Sequence, residues 1–347
     1  MFSGAHRNGK QSALAAAESA RAAPLVSMHD VSRHFNTVIA VDGVTFDVPP
    51  ATILGIIGPS GSGKTTLVRI LTGTLKATAG SVQVLGEDPQ RFRRKTRERL
   101  GYMPQLFVMY PDLTAAENVS FVGSLFGLLW RRRRRRVRQV LELVQLWDVR
   151  NRRAGQLSGG MQRRLELACA LVHEPTLIFM DEPTAGQDPI LRQTIWSAFR
   201  RLRDQGRTLV ITTQYVGEAD YCDRVAVLAE GRLIALGEPE ELRRDALGGD
   251  VIEIETTRTI DAASLAGLAD IKEVRQPGPR RILVIVEDAG SATPRLLDAL
   301  RNQGVEVASS SEYRPSFDEV FGELVARKQH ERAQSEAADA APSSPSR

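Results

Sequence analysis

Cysteine is nearly absent from this chain, and so is any long apolar run. Only Cys169 and Cys222 occur in 347 residues. They fit no metal-ligand spacing and make no disulfide framework, which points to a reducing compartment. Both lie in stretches that read as helix. The longest apolar stretch, Val119 to Trp130, is interrupted by serine and glycine. It falls short of the roughly 20 residues that a spanning helix needs. The N-terminus has no compact apolar region, which argues against a secretory signal and for a cytosolic protein. Charge is not extreme either. The net charge of +4 is compatible with a phosphate-bearing neighbour, nucleic acid or anionic lipid, and does not choose between them. Hydrophobic residues reach 42%, so a core large enough to do without disulfides can form.

The organisation is two ordered blocks between two tails. Residues 1–24 are small, polar and aperiodic, and read as disordered; residues 328–347 read the same way. Residues 25–245 alternate short β-branched runs with helical patterns, the mark of an α/β sheet. TILGIIG, TLIFMD and TLVITT are its buried strands. Within this block, residues of about 106–160 lose the strand signal and read as a helical insertion. Residues 250–327 form a small α+β domain, with VIEIET, RILVIVE and VEVASS as strands and ATPRLLDALRNQ as an amphipathic helix. Ser316 and Glu319 have capping-box spacing at the start of a last helix.

Three motifs carry chemistry. The first is GPSGSGKT, with the strand before it and the helix after it that a phosphate loop requires. In the loop formed by Gly58, Pro59, Ser60, Gly61, Ser62 and Gly63, the glycines let backbone N–H groups turn inward around phosphate oxygens. Lys64 sets a compact cation against the β- and γ-phosphates. The Thr65 hydroxyl can ligate Mg²⁺, and Thr66 continues the helix that points its positive end at the anion. The expected ligands are therefore ATP and Mg²⁺. The second motif is LIFMDEP. Asp181 at a buried strand end suits Mg²⁺, and Glu182 after it can deprotonate the attacking water. The third is LSGGMQRR. Ser158 is an N-cap candidate, and Gly159 and Gly160 allow close approach of a phosphate to a second helix start.

At these residues the sequence resembles the ATP-binding cassette (ABC) ATPases, over about Leu25 to Arg244. The fold implied is a P-loop NTPase nucleotide-binding domain with a helical insertion. In that family the LSGG segment caps the γ-phosphate held by an opposite subunit. One phosphate loop and one LSGG per chain imply a homodimer, or pairing with a second ABC ATPase. Further roles carry over by resemblance. Phe35 matches the aromatic that stacks on adenine. Gln105 matches the glutamine that contacts Mg²⁺ and the attacking water. Asp188 matches the loop that communicates across the dimer, with Gln187 where Leu or Val is more common. Gln214 stands where most members have histidine. Its amide can still donate to the γ-phosphate, but it cannot titrate near neutral pH.

The ending EYRPSFDEVFGELV, with TTQY, resembles the ATPases of daunorubicin-type drug exporters and related ABC-2 systems. That resemblance implies ATP hydrolysis powering export of a drug-like or lipid-like substrate. An ABC-2-type permease would be a separate membrane partner, with this chain peripheral on the cytoplasmic side. The alternative, a non-transport ABC ATPase acting on ribosome or DNA, lacks the long coiled coils or paired cassettes it would need. LSGGM also argues against a small-molecule kinase. The run Arg131 to Arg136, with Arg138, reads first as a solvated helix face. Contact with headgroups or with a permease loop is the second reading. No aromatic residues interleave with it, and no nucleic acid is expected.

Overall fold

In the computed structural model, residues 23–106, 108–259 and 271–339 are described. All but two residues of the expected N-terminal tail, and the last eight of the C-terminal one, lie outside them. The chain divides into two compact units at Leu236/Gly237.

The first unit begins with β1 (Val26–Phe35), β2 (Val38–Val48) and β3 (Ile53–Ile57). Then come α1 (Lys64–Leu71), β4 (Ala79–Val84) and β5 (Leu100–Met103). The helical part holds α2 (Ala115–Leu125), α3 (Trp130–Leu143) and α4 (Gly159–Leu171). The unit closes with β6 (Leu177–Asp181), α5 (Pro189–Asp204), β7 (Thr208–Thr213), β8 (Arg224–Ala229) and β9 (Arg232–Gly237).

Six strands form one sheet in the order β5-β6-β7-β3-β8-β9. The pairs from β5 through β8 are parallel. Every residue of β3, β6 and β7 is buried, as expected of strands covered on both faces. β1, β2 and β4 make a separate antiparallel sheet. The helical insertion is present where the strand pattern stops. Thr114 caps α2 in a capping box, its hydroxyl accepting from the Glu117 amide while the Glu117 carboxylate accepts from the Thr114 amide.

The second unit contains α6 (Pro239–Leu247), β10 (Asp250–Thr256), β11 (Ile271–Gly278), β12 (Arg281–Val286), α7 (Ala289–Asn302), β13 (Val307–Glu312) and α8 (Phe317–Asp339). Its antiparallel sheet runs β11-β12-β10-β13. Ile252, Ile254, Ile282, Val284 and Val286 from the sheet pack with Leu296 and Leu300 of α7.

Four expectations change. Helix α6, which the sequence reading left in the first block, groups with the second unit. The Arg243 guanidinium, buried, donates to the Pro315 carbonyl at 3.1 Å and lies over the Phe317 ring. α8 does not stop at residue 328 but continues to Asp339. Its outer turns are rich in Ala, Glu, Gln and Arg, all good helix formers, and a Lys328–Glu331 pair spans one turn. The Ser316–Glu319 box is half made. The Ser316 hydroxyl accepts from the Glu319 amide at 3.3 Å, while the Glu319 carboxylate accepts from the Tyr313 hydroxyl. Cys169 lies in α4, but Cys222 follows a short 3₁₀ turn, Val216–Tyr221. Both thiols are buried, and burial pushes their pKa values up.

Candidate nucleotide site

The register of the parallel sheet assembles the site. Ile57 of β3 pairs with Thr213 of β7, and Thr212 pairs with Asp181 of β6. One step beyond these strand ends come Gly58, Gln214 and Glu182. Residues far apart in sequence thus emerge side by side at the carboxyl edge, where open α/β sheets present their ligand sites.

Gly58 is closely packed: a Cβ there would lie 2.0 Å from the Leu228 carbonyl oxygen. Gly63 has φ +97° and would place a Cβ 2.3 Å from the Ala40 carbonyl oxygen. Both positions therefore require glycine for backbone reasons as well as for access. Lys64 is buried, and its ammonium donates to the carbonyls of Gly58 and Pro59, each at 2.8 Å. Burial lowers its pKa, and the charges of Glu182 and Asp181 partly restore it. Ser62 is buried, whereas Pro59, Ser60 and Gly61 are exposed and Thr65 and Thr66 half-buried.

Asp181 is fully buried, and its Oδ1 accepts from the Thr212 hydroxyl at 2.5 Å. Its Oδ2 and the Ser62 hydroxyl are buried without a hydrogen-bond partner among the described residues. A buried carboxylate oxygen left open beside a lysine and a glycine cradle suits a hydrated divalent cation with phosphate. Glu182 has φ +53°, an uncommon conformation for a residue with a side chain. Its amide donates to the Thr212 carbonyl at 3.1 Å and hydroxyl at 3.0 Å, which fixes the backbone of the turn.

Gln214 is exposed, between buried Thr213 and half-buried Tyr215. The Arg192 guanidinium lies 4.1 Å from the centre of the Tyr215 ring and donates to the Gln187 carbonyl at 3.4 Å. That arginine joins the Gln214 loop to the Asp188 loop. Asp188 caps α5, its carboxylate accepting from the Leu191 amide at 2.9 Å. Ser158 caps α4, accepting from the Met161 amide at 3.4 Å. Ser158 and Gly159 are exposed, and a Cβ on Gly159 would meet nothing within 4 Å. Phe35 is 42% exposed at the end of β1, with the Arg33 guanidinium 4.5 Å from its ring centre. Gln105 is exposed, and its carbonyl accepts from Arg163 at 3.1 Å.

Two residues escaped the sequence reading. Arg163 of α4 donates to the carbonyls of Pro104, Gln105, Asp181 and Glu182. Gln187, noted only as unusual, is buried and donates to the Gly160 carbonyl at 3.2 Å. Neither contact has a motif, because the acceptors are backbone carbonyls that any residue supplies.

The arginine run is not uniformly solvated. Arg132 bonds Glu174 at 2.5 Å. Arg136 is half-buried and donates to the carbonyls of Leu171 (3.1 Å) and Val172 (3.3 Å), at the end of α4. Arg131, Arg134 and Arg135 are exposed. Among the described residues, no helix is long and apolar enough to cross a membrane.

Comparisons with known proteins identify the family. Residues 41–185 match the ABC transporter family, and residues 237–325 match the C-terminal domain of DrrA1-3-like ATP-binding proteins. The daunorubicin resistance ATP-binding protein DrrA3 of Streptomyces coeruleorubidus is 36% identical over 85% of this chain and 94% of its own. The Nod factor export ATP-binding protein I of Paraburkholderia xenovorans (strain LB400) is 40% identical over 66% of this chain and 76% of its own. Among solved structures, the dimeric ATP-binding cassette MJ0796 bound to ADP and Pi aligns with a TM-score of 0.58 at 27% identity, covering 61% of this chain and 98% of that one. With its phosphate loop, buried strand-end aspartate and DrrA-like C-terminal domain, the chain belongs to the ATP-binding proteins of ABC transporters, a family of ATPases.

Proposed function

We propose that this protein hydrolyses ATP to power export of a drug-like or lipid-like substrate through a separate membrane permease of the ABC-2 type. The observation that carries the reading is the convergence of Gly58–Thr66, Asp181, Glu182 and Gln214 at one sheet edge. The likeness to daunorubicin resistance and Nod factor export proteins favours export over a ribosome- or DNA-directed ATPase. The protein would lie peripherally on the cytoplasmic side of the membrane. Two copies, or one copy and a second cassette, would pair head-to-tail. Exposed Ser158 and Gly159, with Gly160, would then cap the phosphate held by the opposite Gly58–Thr66 loop, and Asp188 would lie near the seam. A dimeric relative supports the pairing.

In this reading the loop amides and Lys64 bind the phosphates, and Phe35 stacks on adenine. Thr65, Asp181 (through water) and Gln105 would hold Mg²⁺, which supplies charge neutralisation to the phosphates when bound. Glu182 takes the proton of a water whose oxygen attacks the γ-phosphorus, while Gln105 orients that water. The bond to the β–γ bridging oxygen breaks, and its electron pair leaves with ADP. Gln214 donates a hydrogen bond to the γ-phosphate. Co-expression with a permease encoded beside this chain, followed by transport assays in vesicles, tests the function. ATP-dependent export that disappears in Lys64→Ala supports it; co-purification with ribosomes instead of a permease refutes it.

A further inference from the structure

The loops that carry Gln105 and Glu182 are tied to the same point. Arg163 Nη1 donates to the Pro104 carbonyl at 2.5 Å and the Gln105 carbonyl at 3.1 Å. Its Nη2 donates to the Asp181 carbonyl and, at 3.1 Å, to that of Glu182. The guanidinium is in turn fixed by Glu166, one turn along α4, whose Oε2 accepts from Nη1 at 2.8 Å. The other oxygen of Glu166 accepts from the Val108 amide at 3.0 Å, beyond Gln105 on the same loop. Both side chains are buried, Arg163 with 9% and Glu166 with 2% exposure. α4 begins at Gly159, directly after the Ser158 cap.

We propose that Arg163 and Glu166 are positioning residues for hydrolysis. They hold the water-orienting Gln105 and the base Glu182 in mutual register, and they couple that register to the placement of the Ser158–Gly160 helix start. The inference rests on the roles proposed above for Gln105 and Glu182. Three physical arguments support it. A buried ion pair is weak evidence for stability, because desolvation offsets most of its attraction. A planar fork with five donors can serve two loops and the Glu166 carboxylate at once, more acceptors than the three donors of a lysine ammonium can match. Three of the four carbonyls it engages belong to Gln105, Asp181 and Glu182, the residues given roles at the metal and the attacking water above, so a shift of the guanidinium moves both loops. α4 is a single rigid element. Any displacement of its first turn by a phosphate or a second subunit is therefore transmitted to both loops through one side chain.

The test uses the full-length chain, with Mg-ATP turnover, nucleotide affinity and thermal unfolding measured for Arg163→Met, Arg163→Lys and Glu166→Gln. Arg163→Met should lower kcat roughly 10–100-fold, the scale of a small misplacement of reacting groups, with KM and nucleotide Kd little changed. Arg163→Lys should not restore the rate. Combined with Glu182→Gln, Arg163→Met should lower the residual rate by less than it does alone, because one of the groups it positions is already gone. A residue that only stabilises the fold would shift the unfolding temperature and leave kcat per folded molecule intact. Should Arg163→Met fail to fold, Glu166→Gln carries the same expectation. A folded variant with kcat within about twofold of the parent, while Glu182→Gln has lost turnover, overturns the proposal and leaves the base assignment standing. Normal turnover in Glu182→Gln removes the base assignment, and this proposal with it.

Discussion

Gln187 reaches back from the loop before α5 to the start of α4, where its Nε2 donates to the Gly160 carbonyl at 3.2 Å. A Cβ on Gly160 would lie 3.1 Å from Gln187 Oε1, so the two residues are in close contact. The glutamine that stands where a leucine or valine is more usual is thus buried behind the helix start that would face a second subunit. Gln187→Leu keeps similar bulk but leaves the Gly160 carbonyl without this donor. In a Glu182→Gln background, it should weaken ATP-dependent dimerisation by about 1 kcal/mol, the net worth of one hydrogen bond. Sedimentation with and without ATP measures the shift, and an unchanged dimer constant would deny Gln187 this part.

Glu182→Gln removes the proposed base while keeping the shape of the side chain. Turnover should fall roughly 10²–10⁴-fold with ATP still bound. A nucleotide titration alongside a phosphate-release assay separates the two effects. The strained φ of Glu182 is held by Thr212 and should survive the change, so unfolding temperature should hardly move.

In the proposed site Gln214 would contribute a hydrogen bond to the γ-phosphate but no titratable proton. Gln214→Ala should reduce kcat, and the parent rate should show no inflection near neutral pH arising from this position. Gln214→His should introduce one, since histidine titrates there. Rates of the three proteins across neutral pH decide the matter; equal turnover in Gln214→Ala would exclude a γ-phosphate contact.

His173 gives a pH dependence of stability rather than of rate. Its ring stacks on Phe126 with centroids 3.7 Å apart, and its Nε2 lies 2.8 Å from the Leu100 carbonyl oxygen. Burial lowers its pKa below the ordinary 6.5, and the carbonyl bond only partly opposes this. Between that lowered value and 6.5 the unfolded chain binds more protons than the folded one, so stability must rise with pH across the window. Unfolding midpoints should fall as pH drops from neutral to about 5.5, and His173→Gln should flatten that slope.

The sequence made the phosphate loop, Asp181, Glu182 and the three buried strands legible because each is local. A strand, a tight glycine turn and a helix start are written within a few adjacent residues. β11 was not legible, since IKEVRQPG is mostly polar and carries Pro277; it lies at the sheet edge, where proline is tolerated. The unit boundary was misplaced because α6 is joined to the second unit by Arg243 on a carbonyl and a ring, contacts without a pattern. Arg163 was hidden for the same reason. Four of its acceptors are main-chain oxygens brought together only when β6, the Gln105 loop and α4 meet.

Helix α8 starts in a packed setting and is exposed to water from Ala326 to Gln334. Phe317, Val320 and Leu324 are buried, whereas Ala326 to Gln334 are exposed. At 1.5 Å per residue, the 23 residues span about 35 Å. Arg327 still donates to the Asp245 carbonyl, but from Lys328 to Gln334 no side chain is buried, so the amide protons there should exchange with solvent well before those of the inner turns. A cysteine-reactive dye placed there would report on the second unit without touching the nucleotide site, because Cys169 and Cys222 are both shielded from the reagent.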